Sequence, residues 1–344
     1  MTHIVICADG TWNRPEEDLD TDFPTNVLKL ARAVSPNAEG VKQHVFYDWG
    51  IGSYHSELSA GVTGVGIHKN ILDSYRYIVQ NYAPKDRLYL FGFSRGAYTV
   101  RALSGLINNC GILKRNDARL VVEAWKIYKS PKPTHHPAGE AAQRFRAAYC
   151  HPSRDVHFIG VWDTVGALGI PFSLMGLFES DDEFYDNKMG ANVAIARHAL
   201  AIDEKREDFS PTVWTPRPGV DLKQVWFAGV HADIGGSYKP DKNGLQAADT
   251  PLAWMLDEAN AAGLVVEPHI RDNLTDGANG QIHRSRKHVY RVKRPLERQL
   301  LVEDTPTMIH PSVKARYERD NRYRPPELKA LVEGRGWENV NVGA

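Results

Sequence analysis

The sequence predicts an α/β fold, a mostly parallel central sheet with helices on both faces, and three observations predict it. Short apolar runs bounded by turn residues alternate with segments of helical period. One of those runs passes directly into a glycine-serine-glycine turn and then a helix. The composition, 344 residues with 42% apolar and 24% charged, suits one large core rather than a disordered or disulfide-dense chain.

Taken in order, Ile4-Val5-Ile6 reads as the first strand. Residues 26–34 follow as a helix, with Val27, Leu28, Leu30, Ala31 and Val34 on one face. His44-Val45-Phe46-Tyr47 is the next strand, 70–82 a helix, and 87–91 a buried strand. Strands are expected at 156–161 and 225–230, and helices near 193–202 and 251–262. Residues 129–139, rich in Pro, Lys and His, and 165–178, apolar but broken by Gly and Pro, interrupt the rhythm. The whole, 1–344, reads as a single domain with lid-like excursions at 129–150 and 165–190 and a basic C-terminal extension over 281–344. Seven of the basic residues, Arg284 to Arg298, stand against one acid, Glu297, as a solvated surface or a contact surface for anionic headgroups or a partner.

Charge and cysteine usage exclude several classes. Lys+Arg and Asp+Glu are equal at 42 each, which removes the electrostatic case for a nucleic-acid partner. The start lacks the basic region and apolar length of a signal peptide, predicting a cytoplasmic protein or export by a route without a Sec signal. No stretch reaches the ~20 apolar residues that cross a bilayer, although transient contact with a membrane surface stays open. Cys7, Cys110 and Cys150 are odd in number and widely spaced, so no zinc or disulfide framework is expected. Neither metal nor cofactor is called for. Gly61 to Gly66 lacks the lysine of a phosphate-binding loop and the third glycine of a dinucleotide fingerprint.

The chemistry concentrates at Gly92-Phe93-Ser94-Arg95-Gly96, between the apolar strand and a helical pattern over 98–107. A nucleophile elbow needs this arrangement: the serine sits on a strained turn, and flanking glycines let strand and helix cross closely. A serine hydroxyl needs a histidine to take its proton and an acid to orient that histidine. In chain order, Asp163 follows the strand at 156–161 and His231 follows the strand at 225–230, both at C-terminal strand ends, where open α/β sheets collect their catalytic groups. Asp163 also reads as a turn residue and His231 as a buried histidine. His310 is the rival base, and Asp233 the rival acid or a residue shaping the loop of His231. For an oxyanion, the Arg95 N–H is one donor, and Gly10 or Thr11 in the loop after the first strand is the second. Asp9 is placed to pin that loop, which is otherwise a plain Asp-Gly turn.

These segments resemble the α/β-hydrolase family of uncharacterised domains that includes the phospholipase effectors of type VI secretion systems. The similar stretches are 8–13, 92–97, 160–166 and 229–236, with 197–206 and 252–255, together spanning about residues 3–265. The resemblance implies an α/β-hydrolase fold, a triad at Ser94, Asp163 and His231, and hydrolysis of lipid or related esters. The apolar stretch 165–178 is then an acyl-binding lid or a buried loop. Two other classes stand beside this reading. One is a metal-assisted phosphohydrolase, because Asp9-Gly10-Thr11 resembles the Asp-x-Asp-Gly-Thr signature of haloacid-dehalogenase-like phosphatases, with Cys7 in place of the nucleophilic aspartate and Asp9, Asp163 and Asp233 as ligands. The other is a hydrolase-like scaffold that binds without catalysis.

Overall fold

The computed structural model describes residues 1–10, 13–38, 40–50, 64–165, 189–286, 294–301 and 306–344. Its sheet runs through β1 (Thr2–Ala8), β2 (Asn37–Ala38), β3 (Val41–Asp48), β4 (Arg87–Phe93), β5 (Val156–Trp162), β6 (Val193–Ala201), β7 (Asp221–Phe227) and β8 (Met308–Ile309). The spatial order is β2-β3-β1-β4-β5-β6-β7-β8, parallel throughout except at the β2–β3 edge. Ala8 pairs with Gly92, Phe93 with Trp162, Trp162 with Ala199, and Ala201 with Phe227. This register brings the C-terminal ends of β1 and β4 to β7 to one edge of the sheet. From β1 the chain steps first to β3 on one side and later to β4 on the other, which places the topological switch point between β1 and β4. Ligands of open α/β sheets bind outside such a point.

Alternate residues of the central strands feed two cores. Ile4, Ile6, Leu88 and Leu90 face one side and Val5, Cys7, Tyr89 and Phe91 the other, all fully buried. Strands buried on both faces read as continuous apolar runs, which is why they are visible in the sequence. The first helix, α1 (Asn26–Ala33), packs on the Val5 side. The Ile4 side is covered by α2 (Gly64–Asn81) and α3 (Arg95–Cys110), with α4 (Ala118–Tyr128) and α5 (Glu140–Tyr149) layered outside. The Val5 side is completed by α6 (His231–Gly235), α7 (Asp249–Ala261) and α8 (His269–Asp272). Near β8, α9 (Pro311–Arg319) and α10 (Pro326–Arg335) bury Val313 and Leu328 against Leu200, Trp226 and Ile309.

The expected helix at 193–202 is instead the strand β6. Apolar residues fall on both faces of this run, so neither a helical nor an alternating pattern stands out. Its position between β5 and β7 decides the matter, with small Ala199 and Ala201 letting α7 approach. In residues 129–150 a 3-10 turn at Pro133–His135 joins α4 to α5, and α5 seats Ala142 and Phe145 in the core. Of the expected lid at 165–190, residues 166–188 lie outside the described residues. The extension over 281–344 supplies β8 and a third apolar cluster at the sheet edge. No helix among the described residues is long and apolar enough to cross a membrane.

Candidate active site

Ser94 sits at the tip of the turn from β4 into α3 with φ 57° and ψ −121°, a conformation costly for a residue with a side chain. The surroundings enforce it. The Ser94 N–H donates to the Trp162 carbonyl at 3.1 Å, tying the turn to β5. A Cβ at Gly92 would lie 2.4 Å from the Gly96 carbonyl oxygen, and one at Gly96 would lie 2.0 Å from that of Ala8. Strand, turn and helix therefore cross at a separation only glycine permits. The Ser94 hydroxyl does not cap α3, and the helix begins at Arg95 with its positive dipole end directed at the turn.

The loop after β1 runs against this turn: a Cβ at Gly10 would stand 3.2 Å from the Cβ of Ser94. Asp9 pins that loop. One carboxylate oxygen accepts the Gly10 N–H at 2.7 Å, and the other accepts the hydroxyls of Thr25 at 2.6 Å and Tyr47 at 2.7 Å. Burial pushes Asp9 up to about 6 against the pull of these bonds. Thr11 lies outside the described residues.

Asp163 and His231 are brought together across 68 residues of sequence, His231 Nδ1 standing 2.6 Å from Asp163 Oδ2. Asp163 ends β5 at φ 41° and is wholly buried; its Oδ1 also accepts the Ala201 N–H at 2.9 Å. Burial opposes its ionisation, but the charge of Arg298 and the His231 bond outweigh it and hold the carboxyl well below the usual range. His231 opens α6, its ring between those of Phe93 and Phe209, with centroids at 4.6 and 4.9 Å. Its main-chain N–H donates to Glu204 at 3.2 Å. Glu204 is also buried, and Arg206 overcomes that burial to bring it down to about 2.

His310 does not join this group. A two-residue strand, β8, does precede it, but its Nδ1 caps α9 through Ser312, and its ring stacks on Phe227 at 4.6 Å. Burial brings it down to about 4. Asp233 shapes its own loop, accepting the Val230 N–H at 3.0 Å, and pairs at 2.7 Å with His283. Asp9, Asp163 and Asp233 are thus engaged separately, and no group of three potential metal ligands occurs among the described residues. The Cys7 thiol, wholly buried, is pushed far up by desolvation.

Two side chains in contact with the Asp163–His231 pair escaped the sequence. Glu204 carries no signal beyond its place in the stretch 197–206. Arg298, read with its neighbours as basic surface, is buried against Asp163; only its partner, 135 residues away, distinguishes it from the other arginines.

Fold and site define a class: an α/β protein with a strand-serine-helix turn at the topological switch point and an Asp–His pair on the segments that follow β5 and β7. The family model for the phospholipase effector Tle1-like catalytic domain of type VI secretion systems matches residues 2–258. The chain belongs to this family, as the motifs lead one to expect. An uncharacterized protein of Saccharomyces cerevisiae is 29% identical over 242 residues, 63% of this chain and 33% of that protein. Among solved structures, an uncharacterized protein from Pseudomonas aeruginosa is 17% identical with TM-score 0.48, over 78% of this chain and 47% of that one. The Tle1 effector bound to the VgrG spike of the type VI secretion system is 19% identical with TM-score 0.40, over 70% and 51%. The chain spans about a third of the yeast relative and about half of each solved chain.

Proposed function

We propose that the protein is a serine hydrolase of lipid-like carboxylic esters, working through Ser94, His231 and Asp163. The observation that carries this reading is the 2.6 Å contact between Asp163 and His231 Nδ1, at strand ends beside the strained Ser94 turn. With Nδ1 engaged by the carboxylate, Nε2 takes the Ser94 proton as Oγ attacks the ester carbonyl carbon. The protonated imidazole then gives that proton to the departing alcohol, leaving an acyl-serine. Water, deprotonated by the same nitrogen, releases the acid and restores the hydroxyl. Asp163, wholly buried and held ionised, orients the ring and balances its transient charge. The carbonyl oxygen, negative in each tetrahedral intermediate, takes hydrogen bonds from the Arg95 N–H at the start of α3 and from the loop after β1, where the Gly10 N–H is already given to Asp9 and Thr11 is the remaining donor.

Membership of a phospholipase effector family supports lipid as the ester class and, with it, transient contact with a membrane surface. It also supports delivery without a Sec signal. The separate engagement of Asp9, Asp163 and Asp233 gives no support to the phosphohydrolase alternative. A fluorophosphonate probe with peptide mapping tests the chemistry: covalent labelling at Ser94 is expected, and no labelling of folded protein would leave the binding-scaffold reading. Nitrophenyl esters from acetate to palmitate, together with phospholipid vesicles, test the class. Each added methylene contributes at most ~0.8 kcal/mol, so kcat/KM should rise severalfold per two carbons until the pocket is full. A profile peaking at acetate would reject lipid.

A further inference from the structure

The chain beyond residue 258, which the family match does not reach, returns to the site. His283 meets Asp233, Ser285 donates to Glu204 at 2.7 Å, and Glu297 pairs with Lys205 at 2.9 Å. The Leu296 N–H donates to the Lys205 carbonyl at 2.9 Å. The deepest of these returns is Arg298, whose side chain, like that of Asp163, is 0% exposed. Its two terminal nitrogens stand 2.6 Å from Asp163 Oδ1 and 3.0 Å from Oδ2. The same nitrogens donate to the carbonyls of Ala201 at 2.8 Å and Phe209 at 2.5 Å. The guanidinium is thereby fixed by the end of β6 and the turn that also carries the Phe209 ring against His231. A fork held on four oxygens sets the plane of the carboxylate it grips, which a lysine point charge cannot do.

We propose that Arg298 is a positioning residue of the site: its fork fixes the Asp163 carboxylate from which His231 takes its orientation, and its charge limits how tightly the pair holds a proton. This rests on the serine-hydrolase reading above. A buried ion pair is poor value for stability compared with apolar packing, so its location on the acid of the pair is the informative feature. Among the described residues, the other charged or titratable groups around the pair either have a charged partner of their own or are kept neutral. His198, on β6, accepts the Thr164 N–H and is kept neutral by burial and by Arg101. Glu204 carries Arg206, and Asp233 on α6 carries His283.

The test uses the full chain with Arg298→Lys and Arg298→Met. The readouts are melting temperature, the pH profile of kcat/KM, fluorophosphonate labelling rate and the His231 ring followed by 15N NMR. Arg298→Lys keeps the charge and loses the fork, so kcat should fall ~10-fold with the acid limb near its wild-type place. Arg298→Met should move the acid limb, and the NMR titration of His231, upward by about one pH unit or more, because an uncompensated carboxylate raises the proton affinity of the pair. If the methionine variant does not fold, the lysine variant decides alone. Full kcat in Arg298→Lys, or activity lost in Arg298→Met only in proportion to unfolded protein with the acid limb unmoved, overturns the role. Wild-type protein that is not labelled at Ser94 overturns the underlying hydrolase reading instead, and the His231 titration still reads the coupling.

Discussion

The imidazole of His231 lies against the ring of Phe93, centroids 4.6 Å apart and 34° between planes, so the histidine rests on the residue immediately before Ser94. Phe93 is itself held close by Gly235, where a Cβ would fall 2.0 Å from the ring. The elbow and the histidine loop are therefore positioned by one packed unit, and the hydrogen bond to Asp163 fixes the ring from its other end.

Ser94→Ala should reduce ester hydrolysis by at least ~10³-fold with the melting temperature nearly unchanged. The hydroxyl makes no cap bond to α3, so its loss should leave that helix end intact. Purified variant that retains wild-type turnover would reject Ser94 as nucleophile.

His231→Ala should match Ser94→Ala in severity, whereas His310→Ala should cost stability more than turnover. The imidazole of His310 caps α9 and stacks on Phe227, and losing a cap costs ~1 kcal/mol. Parallel kinetics and thermal melts of the two variants check this; the reverse ranking would transfer the base to His310.

Gly96→Ala and Gly10→Ala should separate folding from catalysis. A methyl at Gly96 meets the Ala8 backbone at 2.0 Å and should prevent folding or cost more than ~4 kcal/mol. A methyl at Gly10 meets the movable Asn13 side chain at 2.7 Å and the Ser94 Cβ at 3.2 Å. Its protein should fold and lose about 10- to 100-fold in kcat with little change in KM, since it disturbs the loop offered for the oxyanion. Unchanged kcat in Gly10→Ala would remove that loop from the mechanism.

Stability should depend on pH through Glu204 with a definite sign. Its folded value lies at about 2, below the ordinary 4.5, so its contribution is complete above pH 4.5 and is lost as pH falls toward 2. Asp9, raised from 3.8 to about 6, acts oppositely: its cost grows as pH rises from about 4 through 6. Thermal melts from pH 2 to 8 should show a flatter acid limb for Glu204→Gln and a flatter slope between pH 4 and 6 for Asp9→Asn. A Glu204→Gln curve parallel to wild type down to pH 2 would contradict the assignment.

The sequence by itself determined the βα rhythm, the family, the glycine-framed serine turn and the order in which Asp163 and His231 follow β5 and β7, although β7 ends at Phe227 and not at the expected 230. These are local properties: burial on both faces makes a strand continuously apolar, and a sharp turn at close quarters demands glycine whatever surrounds it. The tertiary structure alone decided that 193–201 is a strand, because a run with alanine at 194, 196, 199 and 201 suits a helix as readily as a strand and takes its conformation from its neighbours β5 and β7. It alone separated His310 from the site, since a histidine at a helix cap and one beside an aspartate look alike in one dimension. It alone drew Arg298 out of a basic run onto Asp163, because an ion pair is specified by where two charges meet in space, and no pattern in a single chain records a partner 135 residues away.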